Sequence, residues 1–268
     1  MDSITHATTP FSDVLDQLTR IEGTFHAEPS ENWRQGRTLF GGLSAALAVV
    51  AAQRAFSDLP PLKSAQFAFV GPATGAVDLT PKLLRSGKSS VFVEVSMQSE
   101  GETALRAFLL FAHPRRSSHS YRSAPLPDVS PPGALPEFFD ASFAPRFTSQ
   151  FDARFAGGAR AVSGAEKPEL LLWLRHRDPD APNHIASVVA LGDVPPPAAM
   201  TMFATPAPVS TVTWSLDVVG DRLIGPGWYL SRVQADTIDA GYSSQSMTLW
   251  DSHGAPVLFA RQNVAIFA

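Results

Sequence analysis

Residues 87–111 read GKSSVFVEVSMQSEGETALRAFLLF, which is two strand-like runs joined by a turn that contains glycine. Residues 241–264 read GYSSQSMTLWDSHGAPVLFARQNV and repeat the same arrangement in the second half of the chain. Glycine suits such turns because it adopts positive φ angles without a steric penalty. An apolar, helix-like run precedes the strands in each half. The repetition predicts two copies of one structural unit, and the sharpest difference between the copies is Leu109 against Gln262.

The first copy begins with a helix. After residues 39–42, LFGG, the chain is rich in Ala, Leu and Val over residues 43–56 and is almost free of charge. A run that is apolar on nearly all sides predicts a buried helix. Four strand-like runs follow without another helix, at residues 65–70, 77–84, 91–97 and 104–112. One buried helix wrapped by an antiparallel sheet is the packing that this order favours, and the predicted fold class is α+β.

The second copy has the same order of elements. A strand is predicted at residues 170–175 and a shorter helix at residues 183–192, which the three prolines at 195–197 bring to an end. Further strands are predicted at residues 209–219, 228–236, 243–250 and 257–267.

A segment rich in Pro, Ser, Arg and Ala separates the two copies. Its prolines interrupt any regular element, which predicts a surface linker over residues 115–148. The expected division is therefore a first repeat at residues 1–114 and a second repeat, with the candidate catalytic residues, at residues 149–268.

Composition excludes several classes of function. The chain has 21 Lys and Arg residues against 25 Asp and Glu residues, for a formal net charge of −4, and the basic residues are scattered. We therefore expect no nucleic-acid partner. The absence of cysteine excludes a disulfide, a thiolate nucleophile and a cysteine zinc site. The histidines show no ligand spacing, so neither a metal nor another cofactor is expected.

The sequence also bears on location. The longest apolar run, residues 43–52, is too short to span a bilayer. The amino-terminal residues carry no basic segment followed by an apolar one, as a signal peptide would. These features predict a cytoplasmic protein without a membrane partner.

Several motifs, in this order, resemble the acyl-CoA thioesterase II-type double hot-dog thioesterase family. They are Trp33, the run RTLFGG at residues 37–42, LRSGKS at residues 84–89 and the closing GAPVLFARQ at residues 254–262. The resemblance covers most of the chain outside the linker and the first 20 residues. It implies a tandem double hot-dog, in which each repeat is an antiparallel sheet wrapped around one central helix. The chain departs from several relatives at residues 63–66, KSAQ, where those relatives carry histidines.

The resemblance also implies an activity and a site. The family hydrolyses acyl thioesters, such as acyl-CoA, with an Asp, a Thr or Ser, and a Gln that position a water molecule. In this sequence the Asp corresponds to Asp193 and the Gln to Gln262. The hydroxyl corresponds to Thr211, with Thr213 as the next choice because the register is uncertain by a residue or two.

The residues themselves support these assignments to different degrees. Alternation in the last strand makes Gln262 the only polar side chain on an otherwise apolar stripe, although a structural hydrogen bond alone would explain a buried amide. For Asp193 the alternative is a solvated side chain in a proline-rich turn, and its place at the carboxyl end of a helix predicts an unfavourable interaction with the dipole of that helix. Strand alternation predicts that Thr211, Thr213, Ser215 and Asp217 share one face, as on any half-solvated strand.

Gly41 and Gly42 are the candidate substrate-binding residues. At the amino terminus of a helix, glycines allow backbone amides to approach the carbonyl oxygen of a thioester closely. The alternative is that the pair is needed only for tight packing of the helix against the sheet. Which half supplies the oxyanion donors stays open at this point.

The sequence leaves two alternative functions, and it contains one motif that suggests an alternative mechanism. A binding protein could keep the acyl-thioester tunnel without turnover, and an enoyl-thioester hydratase or dehydratase could use the same fold. Ser44 lies in a sequence close to the Gly-x-Ser-x-Gly nucleophile elbow, but the last glycine and the leading strand are missing. Two fused repeats already form the pseudo-dimer of this fold, and a homodimer of double hot-dogs is a further expectation. The sequence does not reveal the acyl chain length.

Overall fold

A computed structural model describes residues 8–220 and 227–267. The amino-terminal residues that bear on a signal peptide lie partly outside this range. The helices are α1 (Phe11–Asp16), α2 (Gly41–Ala55) and α3 (Ile185–Gly192). The strands are β1 (Thr19–Ile21), β2 (Thr24–Ala27), β3 (Arg34–Gln35), β4 (Thr38–Leu39), β5 (Leu62–Phe69), β6 (Val77–Ser86), β7 (Ser90–Ser99), β8 (Glu102–Ala112), β9 (Phe151–Gly158), β10 (Glu169–His176), β11 (Val209–Val218), β12 (Tyr229–Asp239), β13 (Tyr242–Asp251) and β14 (Pro256–Ile266).

Twelve of these strands form one antiparallel sheet in the order β1-β2-β6-β7-β8-β5-β11-β14-β13-β12-β10-β9. The order is symmetrical about the β5–β11 pair, because β8, β7 and β6 follow β5 on one side as β14, β13 and β12 follow β11 on the other. The two halves of the sheet therefore join through β5 and β11 and share a single inner face.

The helices α2 and α3 lie against the inner face and against each other. A methyl group on Gly42 would lie 2.7 Å from the backbone oxygen of Ala190, so only glycine permits this approach of the two helices. Nearly all of α2 is buried, from Gly42 to Ala52. This arrangement confirms the predicted α+β, tandem double hot-dog fold.

The predicted elements are present, and most of them are slightly longer than predicted. The first helix begins at Gly41 and not at Leu43, and the second begins at Ile185 and not at Asn183. The sequence patterns did not predict α1, β1, β2, β3, β4 and β9. Of these, β1 and β2 lie at one edge of the main sheet and are only three and four residues long, too short for an alternation pattern, and β9 lies at the other edge.

The proline-rich segment between the repeats lies on the outer face of the second half of the sheet. The indole nitrogens of Trp173 and Trp250 donate hydrogen bonds to the backbone oxygens of Ser130 (3.0 Å) and Ala124 (2.8 Å). Leu126 and other apolar residues of the segment pack on these two indoles. The segment thus covers apolar area of the sheet. The division at residues 114 and 149 stays a prediction.

Candidate active site

Asp193 lies at the point where the two halves meet. It follows the last residue of α3, and its backbone angles of φ −101° and ψ 0° turn the chain out of the helix. Its carboxylate oxygen Oδ1 accepts a hydrogen bond of 2.6 Å from Nε2 of Gln262. It also accepts a hydrogen bond from the backbone N–H of Gly42, at the start of α2. A carboxylate from the second half therefore interacts with the amino terminus of the central helix of the first half.

Asp193 follows the carboxyl end of α3, as predicted from the sequence, and the contact with Gly42 adds the amino terminus of α2 as a second helix end. The first amide of α2 that donates to a backbone oxygen is that of Ser44, which bonds to Phe40 at 3.1 Å. Phe40, the N-cap residue, provides no side-chain cap. Asp193 supplies one of the missing acceptors, and the positive end of the helix dipole favours a negative charge there.

Burial raises the pKa of Asp193 to about 7, although the hydrogen bonds from Gln262 and Gly42 oppose the shift. Removal from water disfavours the charged form more than these two donors stabilise it. A carboxyl group with a pKa near neutrality exists in both protonation states at physiological pH. It can therefore accept and return a proton.

Gln262 lies on β14 with its side chain on the inner face, where it is 4% exposed. Its Oε1 accepts a 2.7 Å hydrogen bond from Nε2 of Gln245, the residue directly across on β13. Oε1 of Gln245 in turn accepts a 3.0 Å hydrogen bond from the backbone N–H of Ala198. The three contacts form a continuous chain from a backbone amide to the carboxylate of Asp193.

Thr211 lies on the inner face of β11, contrary to the prediction that it shares a face with Thr213, Ser215 and Asp217. The register of β11 against β14 shifts between Thr211 and Thr213, so that Val212 is an extra residue, as in a β-bulge. Thr211 is paired with Val264, which is fully buried, whereas Thr213 is exposed. Because paired residues share a face, the bulge brings Thr211 to the face that carries Gln262.

Gly41 lies directly beneath the carboxylate. A methyl group at this position would lie 2.7 Å from Oδ2 of Asp193 and 3.2 Å from the ring of Phe69. Both glycines of the pair are therefore required for close approach: Gly41 to the carboxylate, and Gly42 to the neighbouring helix. The packing interpretation is supported for Gly42, and the substrate-binding role of the pair stays a prediction.

The first half of the sheet has the same geometry with apolar side chains. The strand β5 has its own register shift, between Leu62 and Ser64, so that Leu62 occupies the position of Thr211. Leu109 is equivalent to Gln262 and pairs with Val93, which is equivalent to Gln245. Val93 and Leu109 are buried. The fold therefore tolerates apolar residues at these positions, and the polar set is confined to the second half.

Gln245 is the member of this set that the sequence reasoning missed. Its side chain is fully buried. Alternation places it on the inner face with Ser243, Met247 and Leu249, and a polar residue between apolar ones was the available signal. The oxygen of Ser243 and the indole nitrogen of Trp214, also on this face, have no hydrogen-bond partner among the residues that the structure describes.

Ser44 does not form a nucleophile elbow. It is buried within α2, and its hydroxyl donates a 3.3 Å hydrogen bond to the backbone oxygen of Phe40.

Within the described ranges, no group of three or more His, Cys, Asp or Glu residues could hold a metal ion. Within the same residues, no helix has the length and apolar character to cross a membrane.

Two protein-family models match the chain and together cover most of it. The model of the acyl-CoA thioesterase N-terminal domain matches residues 29–112, and that of the acyl-CoA thioesterase C-terminal domain matches residues 123–266. The chain therefore belongs to the acyl-CoA thioesterase family, and it is a thioester hydrolase. No curated protein sequence matches the chain.

Solved structures have the same fold. A conserved hot-dog protein of unknown function from Alicyclobacillus acidocaldarius is similar, with 25% identity, a TM-score of 0.88 and coverage of 99% of each chain. The tesB protein of Mycobacterium avium subs paratuberculosis shows 18% identity and a TM-score of 0.78 over 96% of this chain and all of that one. The acyl-CoA thioesterase II TesB2 of Mycobacterium marinum shows 19% identity and a TM-score of 0.75 over 96% and 98% of the two chains.

Proposed function

We propose that the protein hydrolyses acyl-CoA to a free acid and CoA by direct attack of a water molecule that Asp193, Thr211 and Gln262 position. The observation that carries this proposal is the hydrogen bond from Gln262 to a buried carboxylate whose pKa lies near 7. Such a carboxylate is suited to take a proton from water at neutral pH.

The proposed reaction has two steps. The water oxygen bonds to the carbonyl carbon of the thioester while Asp193 accepts a proton from the water. The carbon–sulfur bond then breaks, and the departing thiolate takes this proton from Asp193, which regenerates the carboxylate. Thr211 and the second N–H of Gln262 hold the water, which replaces a random encounter by a fixed geometry.

The carbonyl oxygen becomes negative during the attack and needs donors. The amide of Gly42 is used by Asp193. The neighbouring amide of Gly41 has no backbone acceptor among the described residues, and it lies at the positive end of α2. We assign the oxyanion to this end of the helix, so that the first half supplies the oxyanion donor and the second half supplies the base.

Hydrolysis is the reaction that this site supports best. The hydratase alternative requires an Asp/His pair, and among the described residues the hydrogen-bond partners of the Asp193 carboxylate are Gln262 and the backbone of Gly42 and not a histidine. The homodimer and the cytoplasmic location stay predictions.

A thiol-release assay across acyl-CoA chain lengths tests the proposal. Asp193→Asn removes the base, and we expect turnover to fall roughly 10²–10⁴-fold. Asp217→Asn is the matched control, because Asp217 is exposed on the opposite face of the sheet. Turnover of Asp193→Asn within a few-fold of the parent would remove Asp193 from the mechanism. No hydrolysis by the parent, combined with tight acyl-CoA binding, would favour the binding-protein alternative.

A further inference from the structure

The hydrogen bonds that end at Asp193 have a fixed direction. A side-chain amide can present either its oxygen or its nitrogen to a neighbour, and the two look alike in most density maps. A backbone N–H can only donate. Because Ala198 donates to Gln245, the oxygen of Gln245 must face Ala198 and its NH₂ group must face Gln262.

The same constraint passes to the next residue. The NH₂ group of Gln245 donates to the oxygen of Gln262, so the NH₂ group of Gln262 must face Asp193. The two amides are 4% exposed or less, so water does not compete readily for these groups. The backbone of Ala198, in the short 3₁₀ turn Ala198–Met202, thereby determines which atom of Gln262 faces the carboxylate.

We propose that Gln245 is a positioning residue for thioester hydrolysis, which holds the amide of Gln262 in the orientation that donates to Asp193. The inference rests on the proposed function of Asp193 and Gln262. It goes beyond that function because Gln245 hydrogen-bonds to Ala198 and Gln262 and not to the carboxylate.

Gln245 affects the two protonation states of Asp193 differently. Ionised Asp193 is an acceptor and would orient Gln262 without help. Protonated Asp193 could donate to Gln262 only if the amide rotated, and the hydrogen bond from Gln245 opposes that rotation. The groups known to face Asp193 are the amide of Gln262 and the backbone of Gly41 and Gly42, and no charged group of the described residues contributes to its pKa. Gln245 therefore favours the ionised base.

The first experiment is the pH dependence of kcat/KM for Gln245→Met, which keeps the size of the side chain and removes the amide. We expect the acid limb of the profile to shift to higher pH by about one unit. The variant should therefore have a roughly tenfold lower kcat/KM than the parent at pH 6 and only a slightly lower kcat/KM above pH 9. The control is Thr201→Val. This substitution removes a buried 2.8 Å hydrogen bond from the Thr201 hydroxyl to the backbone oxygen of Ala198, which is not part of the hydrogen-bond chain through Gln245 and Gln262. Its profile should keep its position.

A double substitution tests whether Gln245 acts through Gln262. In a Gln262→Leu background, Gln245→Met should cause no further change in kcat/KM. It should also leave the pKa of Asp193 unchanged, as measured by ¹³C NMR of the carboxyl group. An equal loss at every pH, or the same additional loss in both backgrounds, would show a structural role only and overturn the inference. The NMR titration does not depend on turnover, so it remains decisive if the parent proves inactive and the proposed function fails.

Neutron diffraction of the parent protein provides a test that does not require Gln245→Met to fold. Two deuterons should be visible on each of two atoms: the side-chain amide atom of Gln262 nearest Asp193, and the side-chain amide atom of Gln245 nearest Gln262. Deuterons on the opposite atom of either amide would contradict the inference directly.

Discussion

Nε2 of Gln262 lies 2.6 Å from Oδ1 of Asp193, although 69 residues separate them in the chain. This contact joins the last strand of the sheet to the end of α3. On its other side the carboxylate contacts Gly41 and Gly42, at the start of α2. The proposed site therefore draws on both repeats, because Asp193 and Gln262 belong to the second half and the amino terminus of α2 belongs to the first.

The first prediction concerns Asp193 and stability. Its pKa is about 7 in the folded protein against an ordinary value of 3.8, so between these pH values the folded state keeps a proton that the unfolded state has lost. The free energy of unfolding should therefore fall as the pH rises from about 4 to 7, by at most about 4 kcal/mol. Urea denaturation across this range should show no such fall for Asp193→Asn. Parallel pH profiles for the two proteins would contradict the assignment.

The second prediction concerns His176, whose effect on the free energy of unfolding has the opposite pH dependence to that of Asp193. The ring is buried between Phe11 and Phe151, and burial lowers its pKa from 6.5 to about 4. As the pH falls from 6.5 towards 4, the unfolded state gains a proton that the folded state does not. Stability is therefore lost, by roughly 3 kcal/mol.

The stability of His176→Gln relative to the parent should rise by about this amount between pH 7 and pH 4, again in urea. His119→Gln, at an exposed site, serves as the control. Because the effects of Asp193 and His176 oppose each other over almost the same range, the profile of the parent alone does not separate them, and the two variants are needed to reveal the two slopes.

The third prediction concerns Gly41. In Gly41→Ala the new methyl group would lie 2.7 Å from Oδ2 of Asp193, so the carboxylate must move. A displacement of about 1 Å in a catalytic group can cost on the order of 10² in rate, and we expect such a fall in kcat. Gly133→Ala, which has no atom within 4 Å of the added carbon, should leave kcat unchanged. Full activity of Gly41→Ala would mean that the carboxylate need not occupy this position.

Much of the fold follows from local patterns in the sequence. Alternation along the last strand places Gln262 on the inner face, and the structure confirms this. The repeat alone identifies Leu109 as its counterpart, because both copies keep the same hairpin.

Long-range contacts explain what the sequence did not predict. An extra residue at Val212 reverses the face of Thr211, and alternation cannot reveal a bulge that no Gly or Pro marks. The carboxylate of Asp193 accepts a hydrogen bond from a helix that lies far away in the sequence, so the dipole of its own helix was only one of the two to consider. Gln245 gains its importance only from its partners on β14 and at Ala198.

The fourth prediction concerns the nucleophile. If water attacks directly, no acyl-enzyme accumulates, so a serine-directed fluorophosphonate should leave hydrolysis unaffected and pre-steady-state kinetics should show no burst. The buried position of Ser44 within α2 agrees with this expectation. Stoichiometric labelling of Ser44, seen by peptide mass spectrometry, would instead establish a covalent mechanism.

The fifth prediction concerns Gln262→Leu, which places in the second repeat the residue that the first repeat has at Leu109. The repeat alone suggests a neutral effect on stability, but the structure adds Gln245, whose NH₂ group would lose its acceptor. An unsatisfied buried donor costs roughly 1–3 kcal/mol, so we expect the melting temperature to fall by several degrees. The attacking water would also lose a donor, and removal of one such preorganised hydrogen bond commonly lowers the rate about 10²–10³-fold.

Because Gln262→Leu should change stability and activity together, a second variant is needed to separate the two effects. Thr201→Val loses a buried hydrogen bond of a similar kind away from Asp193, and it should lower the melting temperature without a comparable loss of kcat/KM. The pKa of Asp193 should also rise further above 7 in Gln262→Leu, since a hydrogen bond that lowers it has been removed. If Gln262→Leu instead retains hydrolysis within a few-fold of the parent and loses only stability, as Thr201→Val should, then Gln262 is a structural residue and a mechanism that relies on it is wrong.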